Sequence, residues 1–225
     1  MFKLFLITVF TIILYSCHSN KKNYDDDWCK KMEKISADCM FKYQINDDAK
    51  YLDSALFTTD KALRECSKQK VLFSFRKLDI LSKQQDYTEA ISFIKSMNEP
   101  IISELTYYND YLENRYKAMY YQSKGNLTKR DSCLNLILLD MQSFIKKNNE
   151  RIIDLLRSED VNTILENSFA VVYIQYFYTK SILEGTENIK VELDSLQSSR
   201  EINKEYVDFI YQQCVQNDFM DYVGF

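Results

Sequence analysis

The chain has 225 residues, with 29 Lys and Arg against 33 Asp and Glu, a formal net charge of −4 at neutral pH. No basic stripe or polybasic run accompanies that balance, which argues against nucleic acid as a partner. Three Gly and one Pro in the whole length leave too few positive-φ residues for the hairpins of a sheet, so the chain reads as all-α.

The first segment places Lys3 before an apolar run from Leu4 to Leu14, interrupted only by Thr8 and Thr11 and too short for a retained membrane span. Leu14, Tyr15 and Ser16 then precede Cys17. This stretch resembles the lipobox of bacterial lipoproteins, with Leu14, Ser16 and Cys17 in the family pattern and Tyr15 where a small or β-branched residue is usual. The resemblance implies a signal peptide over 1–16 and a diacylglycerol and a further acyl chain on Cys17. Each buried methylene would contribute roughly 0.8 kcal/mol of membrane affinity, so several chains together hold the protein at a membrane. From the residues alone, an ordinary secretory signal or a short anchor helix fits the same stretch.

Residues 17–27 read as a solvated tether, with one aromatic and no aliphatic residue after Cys17. His18, rather than Asp, follows the cysteine, which under the lipoprotein sorting rule implies the outer membrane. Lys21-Lys22 followed by Asp25-Asp26-Asp27 resembles the export signals of surface lipoproteins in the Bacteroidetes; a plain hydrophilic spacer has the same composition. His18 is the one histidine of the chain, which excludes histidine-based catalysis from the folded part.

A single all-helical domain is expected over 28–225. From Trp28 onward apolar residues recur at three and four. Leu72, Phe75, Leu78, Ile80 and Leu81 mark one helix; Ala90, Ile91, Phe93, Ile94 and Met97 mark the next, with Lys83-Gln84-Gln85-Asp86 as the turn. The stretch from Lys83 to Ile91 resembles the turn and second helix of a tetratricopeptide repeat, with Tyr87 and Ala90 in the aromatic and small-residue places. Leu52 to Leu56 with Ala62 matches an upstream copy. About 35 residues separate Ala55 from Ala90, near the 34-residue period of that family. A third copy places Ala118 and Tyr121 before the turn Lys124-Gly125-Asn126, then Leu127, Leu134 and Ile137; here Arg130 replaces the small residue. The family tryptophan is missing, and Leu78 stands where a small residue is usual. The resemblance implies antiparallel helical hairpins stacked as a short tetratricopeptide-like solenoid, and an unrelated antiparallel bundle fits the periodicity too.

Farther on, Ser143 to Arg157 reads as one amphipathic helix. Glu159-Asp160 reads as a cap and first turn for the helix after it. Phe169 to Leu183 is the most apolar stretch, with more aromatics than one face needs, and reads as a central helix stopped at Gly185. Two more helices fit Asn188 to Ser198 and Asn203 to Tyr222, the last capping the stack.

Five cysteines follow Cys17: Cys29, Cys39, Cys66, Cys133 and Cys214. Their odd number and scattered spacing leave the pairing open, and most read as small buried hydrophobes. Cys29 and Cys39 would lie about 15 Å apart on one helix, too far to bridge. Without a CxxC or a second histidine, no metal or other cofactor is expected. No nucleophile motif or phosphate loop is present, so no enzyme is expected either.

The 17 tyrosines include Tyr107, Tyr108, Tyr111, Tyr116, Tyr120 and Tyr121 close together. In tetratricopeptide domains the first helices line a concave ligand face, which implies Tyr108, Tyr111, Arg115 and Gln122 as the candidate partner-binding face. A general bias toward Tyr, Asn, Lys and Ile explains the same richness without a site. Asp53-Ser54-Ala55 and Asp194-Ser195-Leu196 resemble Bacteroidetes O-glycosylation acceptors. The expected function is binding of a protein or peptide at the outer membrane. A subunit of an outer-membrane assembly complex and an immunity protein against a periplasmic toxin are the alternatives.

Overall fold

The computed structural model describes residues 25–158, 160–200, 202–216 and 219–220. The signal segment, Cys17 and tether residues 17–24 lie outside these. Asp25, Asp26 and Asp27, expected in the tether, form the first turn of a helix instead. Carboxylates such as Asp26 and Asp27 at a helix N-terminus are stabilised by the helix dipole.

Among the described residues there are eleven α-helices, one short 3₁₀ turn and no strand. In the N-terminal part, five successive pairs of helices that are neighbours in sequence are also neighbours in space. Helix α1 (Asp25–Asn46) packs on α2 (Lys50–Glu65), α2 on α3 (Lys70–Lys83), α3 on α4 (Tyr87–Lys95), α4 on α5 (Tyr108–Ser123), and α5 on α6 (Leu127–Lys147). Small residues let these helices approach: Ala55, Ala62, Ala90 and Ala118 are all fully buried. Between α1 and α2 the hydroxyls of Ser36 and Thr59 share a buried hydrogen bond of 2.8 Å, as buried polar groups require. Lys77 of α3 reaches Asp60 of α2 at 3.0 Å and Glu89 of α4 at 3.5 Å, bridging three helices.

The turns of the α3–α4 and α5–α6 hairpins are built alike. In the first, Gln85 has φ 58, its N–H donates to Ser82 O at 2.9 Å, and Asp86 N–H donates to Leu81 O at 2.9 Å. In the second, Gly125 has φ 68, its N–H donates to Gln122 O at 2.9 Å, and Asn126 N–H donates to Tyr121 O at 2.9 Å. Both are the Schellman arrangement, which satisfies the last carbonyls of the incoming helix. Asp86 and Asn126 then cap the outgoing helix, accepting from Glu89 N–H at 3.0 Å and Lys129 N–H at 3.1 Å. The link from α4 to α5 is longer and is held by Asn109, whose side chain accepts from Ile101 N–H at 3.0 Å and donates to Glu99 O at 3.1 Å.

The remaining helices are α7 (Asn149–Leu156), α8 (Val161–Leu165), α9 (Ser168–Glu184), α10 (Thr186–Arg200) and α11 (Lys204–Gln216). Asp160 caps α8 as expected, accepting from Asn162 N–H. The single helix expected over Ser143 to Arg157 is two. Asn148 leaves helical geometry at φ −114 and ψ 17, and its amide donates to Phe144 O at 2.8 Å, ending α6. Side-chain competition of this kind breaks a helix without Gly or Pro. Helix α11 ends at Gln216 and packs against α8, α9 and α10.

Helix α9 is the centre. It is apolar on nearly every side and joins two cores. One contains Leu78, Ala90, Tyr108, Met119, Leu134 and, from α9, Val172. The other contains Ile152, Leu156, Tyr206, Ile210 and, from α9, Phe169, Ile174 and Phe177. Gly185 stops α9 at φ 85. No described helix is long and apolar enough to cross a membrane.

A disulfide joins Cys29 at the start of α1 to Cys66 at the end of α2, a pairing that the sequence left open. The hairpin brings its open ends together, which no spacing along one helix reveals. Cys39, Cys133 and Cys214 are free thiols.

Candidate functional site

The face expected from Tyr108, Tyr111 and Arg115 is not a surface. Their exposures are 0%, 1% and 1%. The inner side of α5 does carry them together, but α9 lies across it. Tyr107 donates its hydroxyl to Gln175 Oε1 at 3.1 Å, and Gln175 Nε2 donates to the Tyr108 hydroxyl at 3.4 Å. The Phe75, Tyr107 and Tyr111 rings flank Tyr108 with centroids at 5.9, 6.2 and 5.5 Å. Tyr116 donates to Leu78 O of α3 at 2.9 Å.

Arg115 sits in an aromatic cage. Its guanidinium lies 5.4 Å from the Tyr178 ring of α9 and 5.4 Å from the Phe219 ring beyond α11. Nη2 donates to the Phe219 carbonyl oxygen at 3.4 Å. A cation desolvated between ring faces is favoured by their quadrupoles. Burial raises the pKa of Tyr108, with Tyr111 beside it adding to the effect. Burial raises Tyr111 too, partly offset by the neighbouring Arg115 guanidinium. These hydroxyls therefore stay protonated and do not act as bases; that of Tyr108 accepts from Gln175. Gln122, the fourth expected residue, is half-buried and lies apart. Its Oε1 accepts from Arg130 Nη1 at 2.7 Å and ties the α5–α6 hairpin. Arg130 is thereby bent back toward the end of α5.

An accessible concavity lies elsewhere, where α6, α7, α9 and α10 meet. It is an open groove of about 490 Å³. Ile145, Tyr173, Tyr176, Phe177 and Leu196 supply apolar walls; Gln142, Lys146, Asn149 and Glu192 supply polar ones. Gln142 Nε2 donates to the Tyr176 hydroxyl at 3.1 Å and sets that ring. Lys180 pairs with Glu192 and, at 3.7 Å, with Glu184. Burial lowers the Lys180 pKa, but the Glu192 hydrogen bond together with the charges of Tyr176, Glu192 and Glu184 outweighs it, and the net shift is upward. The surplus aromatics of 169–183, which read in the sequence as a buried central helix, also line this groove through Tyr173, Tyr176 and Phe177.

Such a groove can seat an extended segment by ring contact and a few hydrogen bonds, and it holds no activated nucleophile. Cys214, outside it, has its thiol pushed up to about 11 by burial, so it remains protonated at neutral pH. Among the described residues no group of His, Cys, Asp and Glu is placed to hold a metal ion. Asp53-Ser54-Ala55 and Asp194-Ser195-Leu196 lie within α2 and α10. No family model matches the chain, and no curated protein or solved structure matches it.

Proposed function

We propose that the chain is a protein-binding scaffold of the bacterial cell envelope, anchored at the outer membrane through lipid on Cys17, with its hairpins stacked as a short tetratricopeptide-like solenoid. The repetition of one turn carries this reading. Gln84 to Asp86 and Lys124 to Asn126 share their hydrogen bonds, their positive-φ residue and their cap. A repeated hairpin unit is what a stack requires, since each unit buries its apolar face only against the next. The Cys29–Cys66 bridge supports export, because such bonds persist in oxidising compartments. The groove beside Tyr173, Tyr176 and Phe177 offers rigid aromatic contact area for a peptide segment of the partner.

The test is cross-linking in native membranes followed by tag pull-down and mass spectrometry, with the wild-type chain, Cys17→Ser and Tyr176→Ala compared. The reading expects one dominant protein partner, lost from Cys17→Ser and depleted from Tyr176→Ala. A partner set drawn from an outer-membrane assembly complex would specify a fixed subunit. A monodisperse protein without cross-links in its native membrane refutes a constitutive protein partner. A toxin encoded beside the gene, neutralised by the purified chain, would then establish the immunity alternative.

A further inference from the structure

Some of the polar groups lining the groove between α6, α7, α9 and α10 are already engaged, and others are not. Glu192 is paired with Lys180, so the carboxylate of the lining has its cation within the fold. Gln142 gives an amide proton to the Tyr176 hydroxyl at 3.1 Å. That hydroxyl accepts there, and its own proton goes to no acceptor among the described residues. The Asn149 amide, half-buried at the start of α7, has no hydrogen-bond partner among them either. Lys146, exposed in the last turn of α6, is within ion-pair distance of no described carboxylate. Beneath these groups the Tyr176 and Phe177 rings meet edge to face with centroids at 5.2 Å, and Ile145 and Leu196 extend the apolar area.

We propose that the groove receives an extended, acidic peptide segment. An apolar side chain of the segment covers the rings, a main-chain carbonyl accepts the Tyr176 proton, a main-chain amide pairs with Asn149, and an Asp or Glu carboxylate meets Lys146. The unengaged groups decide the sign of the ligand. A donor and a cation call for a carbonyl and an anion, whereas a basic ligand would have to take Glu192 from Lys180. The chain's net charge of −4 gives an acidic partner no long-range attraction, so the selection acts at contact, through Lys146. An exposed ion pair contributes little energy, so ring area holds the affinity and the carboxylate sets the choice of partner. This specificity rests on the protein-binding reading above and adds to it the chemistry of the bound segment.

Random seven-residue peptides displayed on phage and selected on the full chain supply the probe. Enriched sequences should carry Asp or Glu close to Phe, Tyr, Leu or Ile, and the leading peptide is then made synthetically and titrated by fluorescence anisotropy. Lys146→Glu should weaken its binding at least about five-fold and Lys146→Ala less, while Lys146→Arg should keep it. Tyr176→Phe retains the ring and removes the hydroxyl proton, and should weaken binding about three- to ten-fold. Added salt should weaken binding to the wild type and hardly affect Lys146→Ala. Lys146 is exposed, so its variants fold, which circular dichroism checks. Absence of enrichment, enrichment of basic or uncharged sequences, or an affinity indifferent to Lys146→Glu or to Tyr176→Phe overturns the proposal. A membrane pull-down that finds its partner undiminished by Lys146→Glu would refute this site and leave the protein-binding reading standing. Selection that succeeds where the pull-down finds nothing would do the reverse.

Discussion

Removing the Cys29–Cys66 bridge should cost the protein most of the stability that chain entropy assigns to it. The cysteines are 37 residues apart. For a loop of that length the loss of unfolded-state entropy contributes about 3.8 kcal/mol at 25 °C. In a domain of this size each kcal/mol moves the midpoint by roughly 2–4 °C, so Cys29→Ala combined with Cys66→Ala should melt about 8–15 °C lower. Both sulfurs are buried, beside Met32, Ala62 and Phe73, so the missing atoms add a small packing loss in the same direction. The double variant is preferable to reductant because Cys39, Cys133 and Cys214 remain free to exchange. Differential scanning calorimetry of wild type and variant reads both the midpoint and the number of transitions. A shift under about 2 °C would refute the reasoning, since the entropic contribution would then be absent. So would a separate early transition that alone responds to the bridge, because α1 and α2 would then unfold apart from the rest.

Three further outcomes are expected. Ala90→Leu forces a larger side chain into a site with no exposure, between α4 and its neighbours, and should lower stability by about 1–3 kcal/mol in urea titration. The shared turn geometry predicts opposite effects at matched places: Gln85→Gly should stabilise and Gly125→Ala destabilise, each by about 1 kcal/mol. A Cβ on Gly125 would meet nothing within 4 Å, so a larger loss there would point to something other than backbone strain. Alkaline pH should unfold the protein cooperatively. The Cys214 thiol rises from 9.0 to about 11, and Tyr107, Tyr108, Tyr111, Tyr116 and Tyr206 are all raised above 10.0 by burial. The native state thus keeps protons that the unfolded state gives up. Its stability is intact below about pH 9 and falls as pH rises beyond it. The phenolate absorbance of the five buried tyrosines should appear in one step that coincides with loss of helicity; ionisation of these five in a folded chain would contradict their burial.

How much of this was readable beforehand depended on range. The α3–α4 and α5–α6 hairpins were legible because a polar turn, a cap and an apolar period lie within a few residues of one another. Helix α9 was legible because its aromatics exceed what one face can hold. The break at Asn148 was not, since neither Gly nor Pro marks it and Phe144 and Ile145 continue the apolar period up to it. Nor was the burial of Tyr108, Tyr111 and Arg115. On α5 alone they form a stripe like any ligand face, and only Gln175, Tyr178 and Phe219, 60 residues and more downstream, turn it into an interior. The Cys29–Cys66 pair depended likewise on where α2 ends against α1.

The membership of α9 in two cores bears on how the chain comes to be folded. A polypeptide that emerges N-terminus first presents α3 to α6 well before residue 168. Until then Tyr107 and Tyr108 lack Gln175, and the apolar side of α6 lacks its cover. Local hairpins can form during that interval, but completion waits for contacts of long sequence separation, which are slow to close. Both halves therefore lock together late, on the arrival of a single segment. A nonsense or frameshift lesion anywhere before Glu184 would leave neither half finished, and a holding chaperone would have the whole inner side of α5 to recognise while the chain is still in transit.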